Sequence, residues 1–147
     1  EELLLAILKQ GRDEILQKFE HYKRNHEFEN GYHAVKGAIT YYLGLAAEME
    51  DEFLLLHRHF LYQLAEVNPI CRNHLEEIYN CLVDIIERGI VKGLDDGSIG
   101  RIEAHKTALI LFSTVDGPRL FNTYGLYDAG TLYQQLVECC DRILAPQ

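Results

Sequence analysis

The chain is poor in everything that interrupts a helix or builds a sheet. Only three prolines occur in 147 residues: Pro69, Pro118 and Pro146. Alternation of β-branched and polar residues, the period-two signature of a half-buried strand, is nearly absent. The four cysteines (Cys71, Cys81, Cys139, Cys140) are too few for a disulfide scaffold, two of them are adjacent, and no Cys-x-x-Cys occurs. Reduced thiols in a cytoplasmic protein are the expectation. No run approaches the ~18 apolar residues of a membrane-spanning helix. Positive charge is also scarce. Lys and Arg total 14 against 23 Asp and Glu, a net charge of −9, which argues against this chain itself gripping nucleic acid or an anionic membrane.

Motifs of catalysis are missing too. There is no Gly-x-Ser-x-Gly, no Walker loop and no Gly-x-Gly-x-x-Gly. Glu-x-x-His, which a di-iron bundle repeats, does not occur once. The glycine-rich stretch from Gly93 to Gly100 has the wrong spacing for phosphate, and its two aspartates would repel one.

What remains is ordinary globular material, 48% apolar and 25% charged. Its length suits one domain over residues 1–147. Six amphipathic segments are expected. The first covers about Glu1 to Lys23 and is interrupted by Gly11. It starts without a capping residue, which suggests that a segment precedes it. The second, about Tyr32 to Met49, carries Val35, Ala38, Ile39, Tyr42, Leu45 and Met49 at helical spacing. Gly37 and Gly44 share a face there, for close packing or for room beside a ligand. The third should begin after Asp51 and run to Val67, apolar nearly all round, as in the middle of a bundle. Asn68-Pro69 then reads as cap and first turn of the fourth segment, which closes at Gly93 with a left-handed cap. The fifth, about Ile102 to Tyr124, should kink or break at Gly117-Pro118. The sixth covers about Ala129 to Leu144, with Asp128 as its cap.

Seven histidines raise the question of a metal. On one helix His57 and His59 point about 200° apart and cannot share an ion. His74 with Glu77, or His26 with Glu29, supplies two ligands where a catalytic zinc needs three from the protein. No metal, no cofactor and no catalytic residue is therefore assigned, and the chain is not read as an enzyme. Cys139-Cys140 is read as structural.

Two candidate surfaces stand out. Phe53, His57, Phe60 and Leu64 fall on one face of the third segment. With Tyr42, Tyr79, Leu82 and Phe112 from other helices they form a candidate pocket for a small, largely apolar ligand. The last two helices, joined by a short loop, form a candidate dimer face through Leu109, Phe112, Asp116, Leu120, Leu132, Leu136, Cys140 and Ile143. Two such hairpins make an intersubunit four-helix bundle.

Several stretches resemble TetR-type transcriptional regulators. Glu1-Glu2-Leu3-Leu4-Leu5-Ala6-Ile7-Leu8 is similar to the start of that family's fourth helix. Arg88-Gly89-Ile90-Val91-Lys92-Gly93, the Gly97-Ser98-Ile99 turn and Thr114-Val115-Asp116-Gly117 resemble its later pattern, in order, although Pro118 departs from the usual apolar run. The resemblance implies an all-α, six-helix regulatory domain of the TetR C-terminal type. It implies a homodimer with a small-molecule effector, no membrane contact, and operator DNA reached only through an N-terminal helix-turn-helix domain outside this chain. Repression relieved by ligand is the implied function, with Gly11 and Gly117-Pro118 as points that absorb the motion. The competing expectation is a helical small-molecule-binding enzyme or carrier unrelated to transcription.

Overall fold

The computed structural model describes residues 1–146, and among these every regular element is helical. The α-helices are α1 (Glu2–Asn25), α2 (Gly31–Glu48), α3 (Glu50–Leu56), α4 (His59–Val67), α5 (Pro69–Asp96), α6 (Ala104–Asp116), α7 (Arg119–Thr123) and α8 (Tyr133–Leu144), and a 3-10 turn occupies Ala129–Leu132. The chain divides into two compact units. One comprises Glu1–His26 and Ala46–Leu82; the other comprises Glu27–Leu45 and the chain from Val83 on. Below they are the first and the second unit.

In the first unit, α1 buries Leu8, Gly11, Ile15, Phe19 and Tyr22, a stripe at three- and four-residue spacing that fixes which face turns inward. Phe53, Leu56, Leu61, Cys71, Leu75 and Ile78 are buried with it. The third expected helix is not continuous. After Leu56 the chain tightens, with the His57 and Arg58 amides bonding three residues back to Leu54 and Leu55, and Arg58 is extended (φ −80°, ψ 129°). The His57 ring also bonds the Phe53 carbonyl through Nδ1 at 2.7 Å. The break lets Phe53, Leu56 and Leu61 turn inward while Phe60 and Tyr62 face solvent. A single straight helix, apolar nearly all round, has no such choice. The start differs as well: the helix begins at Glu50, not after Asp51, with Met49 at the capping position, and Asp51 lies in an acidic first turn with Glu50 and Glu52. Such charges suit the positive end of the helix dipole.

Asn68 behaves as expected. Its Oδ1 accepts from the amides of Ile70 and Cys71 at 2.9 and 3.1 Å, satisfying two of the first orphan donors of α5.

In the second unit, Gly93 does not end α5; the helix runs three residues further, and the left-handed residue is Gly97 (φ 79°). Gly93 is needed for closeness. A Cβ there would lie 2.4 Å from Ile99 Cδ1, and a Cβ on Gly31 would lie 1.9 Å from the Gly93 nitrogen. Gly31 also donates its amide to Asp96, and the Tyr32 amide reaches Ser98 Oγ. The start of α2 is thereby fastened to the end of α5. Gly44, by contrast, is exposed, and a Cβ there meets nothing within 4 Å, so close packing at that position is corrected.

The fifth expected helix breaks where Gly117-Pro118 stands, giving α6 and the short α7. Asp128 does cap through its side chain, accepting from Gly130, but the element it opens is the 3-10 turn, and α8 begins at Tyr133. α8 packs on α6, and the 3-10 turn adjoins α7. No helix among the described residues is long and apolar enough to cross a membrane.

Candidate functional site

The eight residues of the candidate pocket are divided between the two units. Tyr42 and Phe112 belong to the second unit; Phe53, His57, Phe60, Leu64, Tyr79 and Leu82 belong to the first. Within the first unit the break at Arg58 dissolves the shared face: Phe53 and Leu82 are core, His57, Leu64 and Tyr79 are half-buried, and Phe60 is 47% exposed. Phe60 thus lies at the surface of its unit. Tyr79 bonds Tyr62 hydroxyl to hydroxyl.

In the second unit Tyr42 and Phe112 do meet. Their rings are 5.6 Å apart and near edge-to-face at 65°. The Tyr42 hydroxyl donates to Asp116 Oδ1 at the end of α6. Sequence spacing did not pair these two residues, because they lie 74 positions apart on different helices.

The second unit also holds a groove of about 320 Å³ between α2 and α8. Lys36, Ile39 and Thr40 line it from α2; Tyr133, Gln134, Val137, Glu138, Cys140 and Asp141 line it from α8. α8 supplies two parallel rows. Tyr133, Val137 and Cys140 form the apolar one, and Gln134, Glu138 and Asp141 the polar one, each at helical spacing. Lys36 Nζ lies 3.3 Å from Asp141 Oδ2 and 3.4 Å from the Tyr32 hydroxyl, with the Tyr32 ring centroid at 5.2 Å. Burial and the facing Asp141 carboxylate hold the Tyr32 hydroxyl pKa above its ordinary value. The Lys36 ammonium is held above its own ordinary value by its bonds to Tyr32 and Asp141, against the cost of burial. Among the residues lining this groove, Cys140 is the one sequence-predicted site residue, and Ile39 is predicted only as part of the α2 stripe. The groove's signal was available in the two rows of α8, but α2 was read only for its buried stripe.

The dimer-face residues all lie in the second unit. Phe112, Leu136 and Cys140 are buried inside the subunit, and Asp116, half-buried, is turned to Tyr42. Burial pushes the Cys140 thiol up to about 11. Leu109, Leu120, Leu132 and Ile143 remain exposed, as are Ile110 beside Leu109 and Tyr133 beside Leu132.

The histidine pairs weighed as ligands have other partners. In the first unit, Arg12 reaches His74 Nδ1 at 2.8 Å and Glu77 at 3.2 Å. His26 Nδ1 bonds the Tyr22 carbonyl at 3.0 Å. No cluster of three or more His, Cys, Asp or Glu residues able to hold a metal gathers among the described residues. Comparison with known proteins adds no relative: no protein-family model, no curated protein and no solved structure matches this chain.

Proposed function

We propose that this chain is the effector-sensing, dimerising part of a TetR-like transcriptional regulator, a repressor released from DNA by a small ligand. DNA contact then belongs to a reading head outside this sequence, in keeping with the net charge of −9. One observation carries the reading. Leu109 and Ile110 on α6, Leu120 on α7, Leu132 on the 3-10 turn and Ile143 on α8 are all more than a third exposed, on elements that adjoin one another. Apolar side chains gathered on neighbouring elements mark an association surface, and a second copy of the same chain is the simplest complement under two-fold symmetry. For sensing, the ligand must bind one arrangement of the dimer better than the other, or no signal passes. The test is sedimentation of the wild type beside Leu109→Glu/Ile110→Glu. A dimer that the double substitution converts to folded monomer supports the reading; a wild-type monomer at tens of micromolar contradicts it.

A further inference from the structure

We infer that the groove between α2 and α8 takes a small amphiphilic amine, an apolar chain ending in one ammonium. The inference rests on the sensing reading above and gives the ligand's place and charge. At about 320 Å³ the groove reaches the size at which small-molecule sites begin, and Ile39, Val137 and Cys140 supply apolar walls. Charge decides the head group. Two carboxylates, Glu138 and Asp141, line the groove against one cation, Lys36. That cation is already engaged, by Asp141 Oδ2 at 3.3 Å. An entering anion meets an engaged lysine and an excess of one negative charge, two carboxylates against one ammonium. An entering ammonium meets Glu138, whose hydrogen-bond partner is the neutral Gln134 amide at 3.2 Å, and Asp141, whose single charge Lys36 shares. Tyr133, 44% exposed at the groove, adds a ring face of the kind that attracts cations.

The test uses three probes with one chain and three head groups: octylamine, 1-octanol and octanoate, each titrated into the whole isotope-labelled chain and followed by amide chemical shifts. Saturable shifts are expected at Lys36, Thr40, Val137 and Cys140. Octylamine should bind at least about tenfold tighter than octanoate, which corresponds to about 1.4 kcal/mol. Glu138→Gln, at an exposed position, should bring octylamine close to octanol, and Val137→Trp should fill the groove and abolish all three. Octanoate binding as well as octylamine overturns the inference. So do shifts confined to residues outside the groove, or octylamine binding unchanged in Val137→Trp. Sedimentation of the same samples separates the two proposals. A monomer that binds octylamine in the groove contradicts the dimer and supports the groove; a dimer without amine preference does the reverse.

Discussion

The Tyr42 hydroxyl on α2 donates to the Asp116 carboxylate at the last position of α6. A carboxylate is poorly placed there, because the carbonyl end of a helix carries partial negative charge. The tyrosine donor offsets that penalty, and the Phe112 ring packs edge-on against Tyr42 one turn earlier. Tyr42→Phe keeps the ring and removes the donor, leaving a half-buried carboxylate without it. A loss of about 1.5–3 kcal/mol in unfolding free energy is expected, the range for hydrogen bonds to charged groups. Urea denaturation measures it, and a change below about 0.5 kcal/mol, the level of an indifferent surface substitution, contradicts the role given to this bond.

Glycine at position 31 is a requirement of space. An added Cβ would collide with the Gly93 backbone at 1.9 Å, and backbone cannot swing aside as a side chain tip can. Gly31→Ala should destabilise by about 3 kcal/mol or more, at or beyond the usual cost of overpacking. Gly44→Ala is the control. With nothing within 4 Å and helical backbone, it should leave stability unchanged or raise it by up to about 1 kcal/mol. Thermal and urea unfolding of the pair of variants gives the comparison.

His74 should make stability fall in mild acid. Burial first, and the neighbouring Arg12 second, hold its pKa below the ordinary 6.5. Above 6.5 the ring is neutral folded and unfolded, and stability is full. As pH drops below 6.5 the unfolded chain takes a proton that the folded chain resists, so stability declines until the folded ring protonates as well. His74→Gln should flatten this decline relative to wild type in unfolding curves from pH 7.5 to 5. An equally steep decline in the variant contradicts the assignment.

The adjacent thiols should differ sharply. Cys139 is exposed, whereas Cys140 is buried with its pKa pushed to about 11, so its thiolate is scarce at neutral pH. Maleimide at pH 7.5 should label Cys139 quickly and Cys140 only after denaturant is added. Peptide mass mapping reads both, and equal labelling in the native protein contradicts the burial of Cys140.

Helix content was legible because it is local. The Val35–Ala38–Ile39–Tyr42 spacing, the Asn68-Pro69 start and the Gly117-Pro118 break all appear where the residues predict them. The break at Arg58 was not legible. Phe53 to Leu64 is apolar nearly all round, so periodicity does not say which face turns inward, and tertiary burial of Leu56 and Leu61 decides it. Gly93 was misread for a similar reason. Glycine serves both a left-handed cap and a close crossing, and only the approach of Ile99 and Gly31 distinguishes them. Phe60, which one uninterrupted helix would align with His57, faces solvent because the helix breaks between α3 and α4. The groove escaped notice because its two walls, α2 and α8, lie about a hundred residues apart, as Lys36 and Asp141 show with a separation of 105.

Sedimentation equilibrium at tens of micromolar reads self-association through the exposed apolar side chains of α6, α7, the 3-10 turn and α8. Twice the 17.0 kDa subunit mass is expected for the wild type, and 17.0 kDa, with helical circular dichroism retained, for Leu109→Glu/Ile110→Glu. A wild-type mass of 17.0 kDa, or a dimer indifferent to both substitutions, would contradict that association.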